Sequence, residues 1–254
     1  MLEEGLLLHV AERLAHGEQL YRDVLAFTGP LPFEVLALLF RLFGEEIWVG
    51  RAAVVVLHGA ATATGFAIAR RADTGPLAHA AAASYAVAPL LFFPLFGIFY
   101  YTTIAFHLSL FSIWAALRGE RSWRWMFAAG FGVGAVALCK QPIGVALALS
   151  TMLAITAGPA GPDRRRALLA FAAGGAGIFL ATIVYLALAG TLEDAFRALV
   201  IVPGSLGETF RSPFVNLWPP GRLDPEIARS QTFYLPYFYV NRQELFAEPG
   251  FGIS

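Results

Sequence analysis

The sequence predicts an all-α protein: a polytopic bundle of transmembrane helices with amphipathic interfacial helices in its first outer loop. Three observations carry this. Residues 75–117, 141–162 and 167–192 contain no Asp, Glu, Lys or Arg. Charged residues make up only 14% of the 254-residue chain, against about 25% in ordinary soluble domains, and the mean hydropathy is +0.63. The arginines sit in short groups between the apolar runs. A helix needs about 20 apolar residues to cross hydrocarbon, and a soluble fold of this size would have to hide several such helices at once.

Residues 2–16 read as a helix with one polar side (Glu3, Glu4, Glu12, Arg13, His16) and one apolar side (Leu7, Val10, Ala11, Leu14). It is too charged to span and suits the membrane interface. Residues 17–32 form a loop punctuated by Gly17, Gly29, Pro30 and Pro32. Residues 33–43 make a short apolar helix, interrupted by Glu34 and Arg41 and ended by Gly44, that lies at the membrane surface. Spans follow at 47–69, 76–95, 101–117, 124–139, 142–158 and 167–189. Pro89 and Pro94 should kink the second, and Cys139-Lys140-Gln141-Pro142 breaks the chain sharply between the fourth and fifth. Residues 190–254 are polar and proline-rich, with an aromatic patch at 233–239. The regions are therefore 1–46, an acidic outer-face loop; 47–189, the bundle of six spans; and 190–254, a second outer-face loop.

Alternating the spans places Arg70 and Arg71, then Arg118, Arg121 and Arg124, then Arg164, Arg165 and Arg166 on one side. Lys and Arg accumulate in cytoplasmic loops, so that side is cytoplasmic. The short loops opposite hold one basic residue, Lys140, and most of the acids lie with it on the outer side. The expected location is the cell (inner) membrane, multi-pass, with the active face periplasmic. The net charge is zero and no basic face is clustered, so nothing points to nucleic acid. A single cysteine, Cys139, excludes an intramolecular disulfide. The first residues carry acids where a signal peptide needs a basic region.

Few residues carry chemistry. Glu3 and Glu4 open a helix, where acids complement the dipole; that use is commoner than the alternative, a general base at the membrane surface. Tyr21-Arg22-Asp23 is either a solvated loop or an acid directed at a polar substrate, and both readings stand. Lys140 is the only lysine in the chain. It can snorkel from a helix end, but a lone outer cation against the basic-inside pattern favours contact with a lipid phosphate. Arg51, at the outer end of the first span, either anchors it or binds an anion. His58 and His107 lie within spans and read as packed or hydrogen-bonded side chains rather than ligands. There is no metal-ligand spacing, no nucleotide-binding glycine loop and no serine-hydrolase elbow.

The order Glu3-Glu4-Gly5, Ala11, Leu14, Gly17-Glu18, Leu20-Tyr21-Arg22-Asp23, Pro30, Pro32, Leu39-Phe40, Leu42-Phe43-Gly44, Trp48 and Arg51 resembles the opening of the GT-C superfamily of membrane glycosyltransferases. It looks most like the bacterial members of glycosyltransferase family 39 and their relatives, the protein mannosyltransferases and lipid A aminoarabinose transferases. Lys140-Gln141 with Gly144 is similar to a Lys-Gln-x-x-Gly segment of many bacterial members. The resemblance covers roughly residues 1–190. It implies an all-helical enzyme that takes a sugar from a polyprenyl-phosphate donor and transfers it, on the outer face, to a hydroxyl or amine of a lipid, glycan or protein acceptor. Carried onto this chain, the catalytic base is Glu3 with Glu4 beside it, Asp23 is a second substrate-facing acid, and Lys140, with Gln141 and Arg51, contacts the lipid phosphate. No cofactor is implied; a divalent ion bridging Glu3, Asp23 and the donor phosphate stays open.

Two departures accompany the resemblance. The family pair is usually Asp-Glu, whereas Glu-Glu stands here and adds a methylene at the base. Family members also have a span before the pair and further spans after the long outer loop. The chain is therefore expected to be a fragment, and an inactive one when isolated. A transporter or channel is the alternative class. Kinked spans and polar residues within them fit it, but neither an inverted repeat nor acids within the spans are present.

Overall fold

A computed structural model describes residues 2–72, 75–91, 98–119, 122–157 and 164–202. Pro94, Asp73, Glu120, Arg121, Asp163 and all of 203–254, including the aromatic patch, lie outside the described residues. Among the described residues the chain is all-helical. The helices are α1 (Leu2–Ala15), α2 (Leu31–Phe43), α3 (Ile47–Ala72), α4 (Pro76–Leu91), α5 (Tyr101–Gly119), α6 (Trp123–Cys139), α7 (Gln141–Ala157), α8 (Arg164–Leu188) and α9 (Leu192–Phe196), which runs into a π-helical turn, Arg197–Ile201.

Each apolar run of the sequence becomes a helix, displaced by a few residues at most where its ends are described. Two of them, Ile47–Arg71 and Arg164–Leu188, each 25 residues, are long and apolar enough to cross a membrane. α6 and α7 are apolar but shorter, at 17 residues. At about 1.5 Å per residue they fall a little short of a hydrocarbon layer about 30 Å thick. α4 continues as helix through Pro89 to Leu91. The break between α6 and α7 is a single residue. Lys140 is extended (φ −146°, ψ 101°); its N–H bonds to Val136 O (2.8 Å) and its carbonyl accepts from the Gly144 N–H (3.1 Å). Pro142 follows in the first turn of α7, where its missing N–H costs nothing.

The amphipathic pattern of α1 holds for its apolar side: Leu7, Val10, Ala11 and Leu14 are all buried. They pack with Phe33, Leu36 and Phe40 of α2, Val54 of α3, Ala105 of α5, Val136 and Cys139 of α6, and Leu186 of α8. The starts of α3 and α5 and the ends of α6 and α8 thus share one end of the bundle with α1 and α2. A second cluster sits at the opposite end, where Ala115 of α5, Met126, Ala129 and Val133 of α6, and Ala170 and Phe171 of α8 meet. There Arg118 lies over the rings of Trp114 (4.3 Å) and Trp125 (5.3 Å), and Arg166 over Trp123 (5.5 Å).

α6 and α8 approach closely because glycine removes the side chain at the crossing. A Cβ on Gly130 would lie 1.9 Å from Phe171 O, and one on Gly174 2.1 Å from Phe127 O. Such small-residue contacts let helix backbones touch. Gly177, on the same helix, has nothing within 4 Å of its Cβ position. Gly130→Ala and Gly174→Ala are each expected to destabilise the protein by about 1–3 kcal/mol, the usual range for overpacking. Gly177→Ala should leave the thermal midpoint in detergent unchanged or slightly raised, and the three midpoints measured together check the contact.

Candidate functional site

The acidic end of the bundle is organised by a salt bridge that joins α1 to α3. Glu4 is only 3% exposed. Its two carboxylate oxygens accept from Arg51, Oε1 from Nε (3.1 Å) and Oε2 from Nη2 (3.0 Å). The same guanidinium lies 5.5 Å from the Trp48 ring centroid. The sequence puts Glu4 on the polar side of α1, but it is buried, because a carboxylate leaves water when a bidentate guanidinium replaces its hydration. Nearby, the Cβ position of Gly50 lies 3.4–3.5 Å from side chains of Phe99, Leu36 and Leu8, so α1, α2 and α3 close tightly around that glycine. Glu3 stands in the first turn of α1; its side chain lies outside the described residues.

Residues 16–30 fold into a compact loop around Asp23. Asp23 Oδ2 accepts the Gln19 N–H (2.8 Å), and Oδ1 accepts Arg22 Nε (3.3 Å). Arg13 donates to the Asp23 carbonyl (3.1 Å). The Gln19 N–H and then Arg22 hold the Asp23 carboxyl below its ordinary range. Tyr21 takes a left-handed backbone (φ 72°); its N–H bonds to Val24 O (2.8 Å) and its hydroxyl to Thr28 O (2.8 Å). Burial, with Glu34 nearby, pushes the Tyr21 hydroxyl upward. The loop then meets α6: a Cβ on Gly29 would lie 1.9 Å from Leu138 O, two residues before Lys140.

Lys140 is half-buried, with Nζ 4.7 Å from the Tyr101 ring centroid, and the Tyr100 hydroxyl donates to that of Tyr101. Among the described residues Lys140 makes no ion pair. Gln141 opens α7 beside it. The fold therefore pairs Glu4 with Arg51 and lays the Asp23 loop against the segment that carries Lys140. It does not put Lys140 in contact with Glu4, Arg51 or Asp23.

Two charged residues read as mere interruptions of α2 have definite roles. Arg41 reaches back to cap α1, donating to Leu14 O (2.6 Å) and Ala15 O (3.3 Å). Glu34 is half-buried; burial pushes its carboxyl up, against the opposing pull of the Tyr185 hydroxyl and of Arg41. Their spacing held the signal: Glu34, Ala37 and Arg41 share one helical face, and Ala37 is buried. Within the helices, His58 and His107 hydrogen-bond to each other (2.9 Å). Among the described residues no group of three His, Cys, Asp or Glu side chains could hold a metal ion.

Tyr21→Phe should cost about 1 kcal/mol, the usual net worth of one hydrogen bond, measured by thermal or denaturant unfolding. Because the Asp23 carboxyl is lowered in the folded chain, its contribution is complete above the ordinary carboxylate range and is lost as pH falls through the lowered value. Limited proteolysis within residues 16–30 should accelerate over that acid range in the wild type, and Asp23→Asn should be fast throughout. No family model matches the chain, and neither does any curated protein or solved structure.

Proposed function

We propose that this chain is the membrane core of a glycosyltransferase that moves a sugar from a polyprenyl-phosphate donor to an acceptor hydroxyl or amine at its acidic end. The observation that carries this reading is the Glu4–Arg51 pair, which docks an acid-bearing N-terminal helix on the bundle end that also holds Lys140. With both oxygens of Glu4 engaged, Glu4 is a positioning residue and its neighbour Glu3 is the base. The acceptor O–H gives its proton to Glu3 as its oxygen bonds to the anomeric carbon. The bond from that carbon to the phosphate oxygen breaks, and the electron pair leaves with the lipid phosphate. Fixed positive charge stabilises such a leaving group as its charge grows, and Lys140 supplies it. Asp23 shapes the loop beside the site. The activated sugar arrives on lipid, so no nucleotide site is required.

Several features support a bilayer as the solvent. α3 and α8 are long and apolar enough to span. Their outward residues include Val55, Val56, Leu180 and Leu188, all exposed, and water solvates such faces poorly. The arginines and tryptophans at the far end match a cytoplasmic headgroup layer.

Sugar transfer from a polyprenyl-phosphate donor to an acceptor, measured in nanodiscs on this chain and on any longer protein that contains it, tests the reading. Glu3→Gln should lower the rate by about 10²–10⁴-fold, as loss of a general base does. Lys140→Ala should weaken binding of polyprenyl phosphate by roughly tenfold or more, the worth of a charge-assisted hydrogen bond. Unchanged transfer and binding in both variants would remove these assignments. The His58–His107 pair favours a second reading, a transporter, since ionisable groups among spans mark ion paths. Solute or proton flux in proteoliposomes without sugar transfer would decide for it.

A further inference from the structure

Where α3, α4 and α5 meet, two histidines and two backbone carbonyls form a continuous chain of contacts. His107 of α5 is fully buried, and His58 of α3 is half-buried. The chain runs from Thr103 O to His107 Nδ1 (2.5 Å), from His107 Nε2 to His58 Nδ1 (2.9 Å), and from His58 Nε2 to Ala86 O on α4 (3.3 Å). The Tyr85 ring stacks on His58 with centroids 4.9 Å apart and planes 21° apart.

The hydrogens in this chain can be counted. A carbonyl oxygen only accepts, so the ring nitrogen facing each carbonyl must carry a hydrogen. The nitrogen–nitrogen contact between the rings needs one hydrogen and one lone pair. The three contacts therefore require three N–H hydrogens on four ring nitrogens. Two neutral imidazoles supply only two. With two, one contact must set lone pair against lone pair: either His58 Nε2 faces the Ala86 carbonyl without a hydrogen, or the two ring nitrogens face each other without one.

We propose that His58 and His107 form a binding site for one proton, so that the pair carries a single positive charge shared within the bundle. His58 holds both ring hydrogens and donates twice. His107 donates through Nδ1 and accepts at Nε2. The Tyr85 ring face over His58 suits a cation. The titratable group that α4 presents is Tyr85, whose hydroxyl is buried without a partner among the described residues. α5 presents His107, flanked by Phe106. α3 presents none besides His58; its Arg51, seven residues earlier, is committed to Glu4. Among the described residues no carboxylate, Lys or Arg contacts either ring, so carbonyls and ring faces hold the charge. Occupancy of the site completes all three contacts, and loss of the proton releases one of them, the link from α3 to α4 or the link between the rings. The inference stands apart from sugar transfer and concerns only the protonation of this pair.

The chain has five histidines, and the other three, His9, His16 and His79, are exposed. The triple variant His9→Gln, His16→Gln, His79→Gln leaves the pair as the only imidazoles. Nitrogen-15 NMR of this variant in detergent near neutral pH should show three protonated ring nitrogens and one unprotonated. Adding His107→Phe should reduce His58 to a single N–H. A count of two protonated nitrogens in the triple variant would overturn the proposal, as would a His58 that keeps both hydrogens beside Phe at position 107. If the His107→Phe protein does not fold, the count in the triple variant decides alone.

Discussion

A carboxylate that gives up almost all of its water needs a cation in its place, and at Glu4 that requirement governs how the N-terminal third of the chain sits. The bidentate contact with Arg51 fixes α1 at the start of α3. With α1 in place, its apolar stripe meets α2, and Arg41 of α2 in turn closes the exposed carbonyls at the end of α1. Each contact presupposes the last. The ion pair is only partly screened from water, with the Arg51 side chain 27% exposed against 4% for Glu4, so it combines a buried acceptor with a donor that still reaches solvent. A pair of that kind orients a helix without the full desolvation penalty of two buried ions.

The remainder of the bundle is built around α6. Its glycines admit the backbone of α8 on one side, and Ser112 of α5 lies against Gly132 on another. Backbone-to-backbone packing of this sort leaves little room for sliding, since a shift of one residue would drive a side chain into a carbonyl. The loop carrying Asp23 rests on the end of this same helix through Gly29. The acidic end is thus seated on the end of α6 through a close backbone approach of its own, the kind of support a precise site needs.

Much of the fold was legible from the apolar runs, because a long stretch without charges can only be a helix or a buried strand, and the lengths decided between them. The apolar stripe of α1 was equally plain from its spacing. Less legible was the partner of each polar residue. Glu4 and Arg51 are 47 residues apart and Arg41 is 27 from Leu14, and helical periodicity reports faces, not what those faces meet. For that reason Glu4 read as part of the polar side of an interfacial helix and Glu34 as an interruption. His58 and His107, 49 residues apart, read as packed or hydrogen-bonded, yet nothing local could show that they bond to each other. Of the six expected spans, two, Ile47–Arg71 and Arg164–Leu188, form helices long and apolar enough to cross a membrane; α6 and α7 come out at about the lengths the sequence suggested, 17 residues each.

The joint at Lys140 has a mechanical consequence. One extended residue separates two helices, so α6 and α7 share a joint with almost no slack. An α-helix turns roughly 100° per residue. Inserting or deleting a single amino acid there would swing the whole face of α7 by about that angle and carry the ammonium group away from the Tyr101 ring. Small changes of length at this corner would therefore act as a gear between the two helices, re-aiming the charge at the joint as α7 turns.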